Sequence, residues 1–298
     1  MNKNFTFKFT RKNNLRPKRI VILGTSGIIS TNLQKILKKK SIKVISIGRS
    51  KLNFKNKNST KILTKKIKSE DVIIFCSAEA PAKNIIMLIN NLKICNTICN
   101  SLKNKKISQI IYISSDAVYA DSRNKITENS STAPNNFHGI MHLTRELILK
   151  NQFNKLLCIL RPTMIYGDGN THNGYGPNQF LNFALKNEPL SIFGNGEERR
   201  DHMYIEDLVK IIVKCIERRG VGSLNLVSGK VYTFKYLAEL IINISKSKSK
   251  LIKVKRLGSM PHNGYRPFNI RMLKHFFGDI RMTSIKEGLR NYTNILRK

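Results

Sequence analysis

The sequence has no tryptophan, and acid is scarce in it: 18 Asp and Glu stand against 54 Lys and Arg in 298 residues, a formal net charge of +36. It also lacks any continuous apolar run of about 18 residues, so no membrane-spanning helix is expected. The N-terminal stretch MNKNFTFKFTRKNNLRPKR is basic but has no apolar core, which argues against a secretory signal. Only five cysteines occur (Cys76, Cys95, Cys99, Cys158, Cys215), all in apolar segments. Cys95 and Cys99 lie one helical turn apart with no His or second Cys pair nearby, so no metal site is expected, and buried free thiols in a reducing cytosol are the reading. Internal repeats are absent.

What is present begins with the basic excess. It is spread along the chain in KILKKK, KNKNSTKILTKKIK and SKSKSKLIKVKR, among abundant Asn and Ile. No RNA-binding signature or interleaved aromatics accompany these runs. Solvated basic surface that attracts anionic substrates is expected, and specific nucleic-acid binding is not. Hydrophobic content of 41% supports a real core.

RIVILGTS (19–26) is a continuous apolar run ending in glycine, as a buried parallel strand should be. A helical pattern follows in GIISTNLQKILKKK. IKVISIGRS, DVIIFCSA, QIIYISS and LCILRPTMIYG read as further strands, with helices over 83–103 and about 138–151 and a short, Lys/Asn-rich crossover before DVIIF. Strands alternating with helices predict an α/β fold with a doubly wound parallel sheet, of the Rossmann kind, and a smaller C-terminal substrate lobe. The expected division is a basic extension over 1–18 (although FTFKFT alternates like a short strand), a dinucleotide-binding domain over 19–167, and a substrate-binding lobe, interleaved with the first domain, over 168–298.

Gly24-Thr25-Ser26-Gly27-Ile28-Ile29-Ser30 joins the first strand to its helix. Gly24 allows a tight turn, Gly27 lets backbone approach a pyrophosphate, and the helix start offers N–H groups and a positive dipole end. Ser30 holds the third position, where glycine is usual. The expected cofactor contacts are Gly24, Ser26, Gly27, Ile28 and Ile29, with Ser77 and Ala78 at the end of DVIIFCSA. At the end of the second strand, where an acid normally takes the adenosine ribose, the residues are Ile47-Gly48-Arg49-Ser50. Arg49 can face a 2′-phosphate, which leans toward NADP over NAD.

Together with YISSDAVYAD, HGIMHLTRE, RPTMIYG, FGNGEERRDHMYIEDL and LNLVSG in order, this loop makes the chain, from about 19 to 290, resemble the extended short-chain dehydrogenase/reductase family, or NAD-dependent epimerase/dehydratase family, of sugar-nucleotide enzymes. The resemblance implies a Ser, Tyr and Lys acting together, the Tyr as acid/base, the Lys lowering its pKa and holding the nicotinamide ribose. Ser115 matches the Ser. The Tyr-x-x-x-Lys pair is replaced: Phe137/Met141 or His138/His142 stand in its place, and Gly139 and Glu146 fall where the motif's Gly and Glu belong only in the second register. His138 is then the general acid/base, since an imidazole titrating near 6.5 accepts a proton at neutral pH without a lysine's help. His142 lies one turn on along the same face. Asp116 is followed by Ala117, not by the Glu of the family's dehydratases, so 4,6-dehydration is disfavoured.

The resemblance further implies that Arg200 and Arg266 grip a substrate diphosphate and that Asn178 contacts the nucleotide-sugar. Met164 replaces an Asn of the sugar pocket. It also implies a homodimer through two helices, with Ile85, Leu88, Leu92 and Ile94 on one and Leu143, Leu147 and Leu149 on the other. The expected function is epimerisation or reduction of a nucleotide-linked sugar with NADP or NAD, in surface polysaccharide synthesis. The alternative is a catalytically silent dinucleotide-binding sensor or assembly protein of the same fold.

Overall fold

The computed structural model describes residues 5–169, 174–278 and 280–297. Residues 1–4 of the N-terminal segment and 170–173 of the Gly- and Asn-rich loop lie outside them. In chain order the elements are β1 (Lys8–Phe9), β2 (Ile20–Leu23), α1 (Ile28–Lys39), β3 (Val44–Ile47), α2 (Ser59–Lys66), β4 (Val72–Phe75), α3 (Ile85–Leu102), β5 (Gln109–Ile113), α4 (Phe137–Phe153), β6 (Leu157–Pro162), β7 (Met164–Tyr166), α5 (Pro177–Leu185), β8 (Leu190–Phe193), β9 (Arg199–Tyr204), α6 (Ile205–Glu217), β10 (Gly220–Leu226), β11 (Val231–Thr233), α7 (Phe234–Ser245), β12 (Leu251–Val254), β13 (Tyr265–Arg266), α8 (Arg271–Phe277) and α9 (Ile285–Leu296).

Two compact units emerge. The first takes Met1–Ala120, Glu128–Pro162 and Val209–Asn225; the second takes Asp121–Thr127, Thr163–Leu208 and Leu226–Lys298. The change of unit therefore falls at Pro162/Thr163, five residues before the expected boundary. There the run LCILRPTMIYG is two strands, because Thr163 breaks it: β6 stays in the large sheet and β7 pairs with β9. Most of α6 and β10 return to the first unit.

The first unit is built on a seven-stranded sheet in the order β1-β10-β6-β5-β4-β2-β3. β3, β2, β4, β5 and β6 are mutually parallel, as the alternation of strands and helices predicts. All four residues of β2 and of β4 are buried, which is why these strands read as unbroken apolar runs. One face carries a core of Leu23, Ile47, Phe75, Ile110 and Ile159 against Ile94 and Ile98 of α3 and Leu149 and Phe153 of α4. The order reverses at β2, which has β3 on one side and β4 on the other, and ligands of open α/β sheets bind at such a switch point.

The described part of the N-terminal segment, from Phe5, is not an extension before the fold. Lys8 and Phe9 pair antiparallel with Val221 and Gly220, closing the sheet edge. Phe7 is 1% exposed, and Phe9 lies under the Arg218 guanidinium at 4.1 Å. The alternation in FTFKFT is thus a strand pattern with its apolar side turned inward.

In the second unit β9 is the hub. β11 pairs antiparallel with it, β13 and β7 parallel. Among the described residues no helix is long and apolar enough to cross a membrane.

Candidate active site

The nucleotide loop sits at the switch point. Gly24 ends β2 with φ of +94°, and its N–H donates to the Ile47 carbonyl at 2.9 Å. A Cβ there would meet Ser77 backbone at 2.7 Å, so no other residue fits. Gly27 is the opposite case. It caps α1, and a Cβ would meet nothing nearer than the Ser30 hydroxyl at 3.9 Å. Asn84, Asn136, Thr233 and Ser284 cap their helices with a side-chain hydrogen bond, whereas α1 has no such cap and no acid in its first turn. Its first amides are disposed to receive an anion. Ser30, in the third position, is buried and donates to the Gly27 carbonyl at 2.9 Å, so the hydroxyl that replaces glycine is satisfied. Ser26 is exposed at the rim, Ile28, Ser77 and Ala78 are half-buried, and Ile29 turns into the core, leaving only its backbone for a ligand.

Arg49 follows β3 and its side chain is 70% exposed, 3.4 Å from Glu79. Glu79 also accepts from Lys55 at 2.8 Å and from Asn90 at 3.0 Å, and the Lys55 bond holds its carboxyl below the usual range. Neither Lys55 nor Glu79 was anticipated. Only the approach of the loop after β4 to the end of β3 reveals them.

A second group forms where α4 meets the turn 116–118. Ser115 heads that turn, its hydroxyl accepting from Ala117 N–H at 3.1 Å. Gly139 lets the helix seat on it: a Cβ would lie 2.1 Å from the Ala117 carbonyl oxygen. His138, one residue earlier, is half-buried and within the field of Asp116. Its Nδ1 receives the Ala82 backbone N–H at 3.4 Å. A backbone amide can only donate, so the neutral ring carries its proton on Nε2. Burial lowers the His138 pKa, with Asp116 pulling the other way. His142 packs edge-on against His138, ring centres 4.7 Å apart, and its Nδ1 is hydrogen-bonded to the Tyr112 hydroxyl at 2.7 Å. It is fully buried, and its pKa is held well down by that burial, then by His138 and Arg145.

Glu146 lies beneath. It accepts both arms of Arg161, at 2.9 and 2.6 Å, and the Ser114 hydroxyl at 2.7 Å. Arg161 donates on to Tyr119, and Tyr119 to Asn225, both at 2.7 Å. This buried network ties α4, the end of β5, β6 and β10 together, with the Asn225 amide nitrogen left without a partner among the described residues.

In the second unit Arg200 and Arg266 are cross-strand neighbours in the β9–β13 pair. Arg200 pairs with Glu198 at 3.3 Å, and its Nε is buried without a partner among the described residues. Arg266 is 1% exposed and donates to Asp121 at 3.2 Å, with His262 2.9 Å away. Asp201, next to Arg200, accepts the N–H groups of Ser228 and Gly229.

The profile of the NAD dependent epimerase/dehydratase family matches residues 20–226. The chain belongs to that family. A relative described as an uncharacterized UDP-glucose epimerase, YtcB of Bacillus subtilis (strain 168), is 24% identical over 306 residues, covering 92% of this chain and 96% of its own. The structure of UDP-glucose 4-epimerase from Thermus thermophilus in complex with NAD superposes with a TM-score of 0.81 at 14% identity, over 94% of this chain and 99% of that one. A GDP-L-fucose synthetase from Naegleria fowleri bound to NADP also gives 0.81 at 14%, over 99% and 97%.

Within this epimerase/dehydratase fold one expected substrate contact takes another part. Asn178 is buried, and its amide is committed to both backbone groups of Gly167, at 3.0 and 2.8 Å, and to the Tyr292 hydroxyl at 3.2 Å. It holds the loop after β7, because Gly167 leaves the strand with φ of +124° and its peptide groups need a partner off the ladder.

Proposed function

We propose that the protein is an oxidoreductase that uses a nicotinamide dinucleotide on a nucleotide-linked sugar, by reduction or epimerisation, in cytosolic synthesis of surface polysaccharide. The observation that carries this reading is α4 seated by Gly139 on the Ser115 turn, which sets His138 beside Asp116. Gly139 at the point of closest approach is also what the His138/His142 register requires. Gly24, the open side of Gly27 and the uncapped start of α1 fit a pyrophosphate, and the two structures named above are described as a UDP-glucose 4-epimerase in complex with NAD and a GDP-L-fucose synthetase bound to NADP. The nicotinamide supplies the hydride donor and acceptor. Ser115, whose oxygen accepts from Ala117, holds its own O–H only in a long 3.5 Å bond to Asp116 Oδ1, which a sugar oxygen would replace. Arg200 and Arg266 grip the diphosphate.

The Ala82 contact gives the reaction a direction. Neutral His138 offers N–H at Nε2, which hydrogen-bonds and polarises a substrate carbonyl about to be reduced, the proton for the resulting alkoxide coming from the imidazolium form of the ring or from water. Taking a proton at Nε2 instead would move the ring's remaining proton to Nδ1, against the Ala82 N–H. Reduction is therefore favoured over the initial oxidation that epimerisation needs. The same hydrogen bond, with His142 tied to Tyr112, supports the second reading, a silent dinucleotide-binding sensor or assembly protein. Turnover of UDP-, dTDP- and GDP-sugars, followed by reduced-cofactor absorbance, separates them. Weak activity lost in His138→Ala supports His138 as the acid/base. If His138→Ala matches the parent, or only His138→Tyr with His142→Lys turns over, the silent reading stands.

For the cofactor we favour NADP. Arg49 is exposed, and its long contact with Glu79 contributes little, so it is available to a 2′-phosphate. Arg49→Asp then inverts the ratio of the two dissociation constants; an unchanged ratio removes this role. A homodimer is proposed through α3 and α4, with Ile85, Ile86 and Ile89 and with Phe137, Ile140 and Leu147 exposed. Ile94 and Leu149, expected on that face, are buried in the protomer core. A monomeric mass at micromolar concentration would remove the dimer.

A further inference from the structure

Arg145 is among the largest fully buried side chains, at 1% exposure. Arg161, also buried, is answered by the Glu146 carboxylate. Arg145 has no such partner among the described residues. It donates to uncharged oxygens: Asn91 carbonyl from Nε at 3.1 Å and from one terminal nitrogen at 2.7 Å, Asn91 Oδ1 at 2.8 Å, and Ser77 carbonyl from the other at 2.9 Å. Its flat face covers the Phe75 ring at 5.1 Å. These bonds engage four of the five donors, and Tyr112 lies against the same guanidinium, but none of them answers the charge, and a buried charge without a counter-ion is costly.

The bonds it makes converge on the nucleotide loop. The Ser77 backbone is what presses on Gly24. Asn91 in turn receives the Glu79 N–H on Oδ1 and donates to the Glu79 carbonyl, each at 2.9 Å. One guanidinium thus fixes residues 77–79 both directly and through Asn91. On its other side it lies close enough to His138, His142 and Tyr112 to act on each electrostatically.

We propose that Arg145 is the positioning residue of this site, holding the 77–79 turn under the nucleotide loop and carrying a fixed positive charge that the anionic pyrophosphate answers. The proposal rests on the dinucleotide reading above. The groups that face His138 are Asp116 from the turn under α4, His142 and Arg145 from α4 itself, and the Ala82 N–H from the segment before α3. Tyr112 of β5 faces His142. Burial is the largest cause depressing both imidazoles, and Arg145 adds to it in each.

The test uses the full chain with Arg145→Met and Arg145→Lys, checked for folding by circular dichroism. Histidine side chains are titrated by NMR without cofactor, with His138→Gln for assignment, and affinities are measured for NADH and NADPH by their own fluorescence and for NAD and NADP by calorimetry. Arg145→Met is expected to raise the His138 midpoint by about half a pH unit or more and to weaken dinucleotide binding by about tenfold or more. Arg145→Lys restores the midpoint but not the affinity, because an ammonium does not bridge both carbonyls as a planar fork does. A folded Arg145→Met with unchanged midpoint and unchanged affinity overturns the proposal. If Arg145→Met does not fold, Arg145→Lys decides: lowered affinity with an unmoved midpoint supports it, and unchanged affinity overturns it. Should the parent protein bind neither NAD nor NADP, the dinucleotide reading fails on its own, and the titration still decides whether Arg145 acts on the pair.

Discussion

Gly139→Ala adds one methyl group where α4 touches the Ser115 turn. That carbon would sit 2.1 Å from the Ala117 carbonyl oxygen, 2.5 Å from Pro134 Cβ and 2.9 Å from the Ala117 carbonyl carbon, where ordinary contact begins at 3.4 Å. The nearest obstacle is backbone, which cannot rotate aside, so the helix must retreat by about an ångström. Two energies compete. Replacing a helical glycine by alanine gains about 1 kcal/mol. Overpacking against fixed atoms costs about 1–3 kcal/mol, and a backbone obstacle puts this site at the upper end. The expected net is a loss of about 2 kcal/mol, read as a thermal midpoint lowered by roughly 3 °C for a chain of this size. Activity should suffer more, because a displacement of about 1 Å at a reacting group costs about a hundredfold. Thermal melting and cofactor-linked turnover measure the two. A variant with the parent's midpoint and the parent's rate would refute the claim that this contact seats the helix.

Gly27→Val should leave the melting temperature nearly unchanged, since a Cβ there meets open space, and yet abolish NAD and NADP binding by filling the approach of the pyrophosphate; binding retained by a folded variant would show that the dinucleotide lies elsewhere. Burial drives the His202 pKa down to about 3. The unfolded chain takes up that proton near pH 6.5 and the native one does not, so stability is full above that value and is lost as pH falls toward 3. His202→Phe should flatten the urea-midpoint profile across this window, and an unaltered slope would assign the acid sensitivity to other groups. Phe7→Ala empties a buried position in the edge strand and should cost about 3–5 kcal/mol in urea unfolding, whereas a segment outside the fold would cost nothing.

The sequence by itself determined the architecture and the nucleotide loop. Buried parallel strands must be apolar on both faces, so β2 and β4 are visible as unbroken runs, and the turn at Gly24 and the helix start at Gly27 are local geometry written in local residues. Ser115, Gly139 and Glu146 are picked out in the sequence only by the resemblance to the family's motifs. Tertiary structure decided what depends on partners distant in the chain. Phe7 looked like part of a basic tail until Val221 and Gly220 were found alongside its strand. Asn178 looked free for a sugar, but Gly167 and Tyr292 use its amide. Arg200 and Arg266, 66 residues apart in the numbering, are neighbours only because β13 pairs with β9. Arg145 was one cation among 54. Burial without a carboxylate sets it apart, and burial is a property of the packed chain, which no single position in the sequence displays.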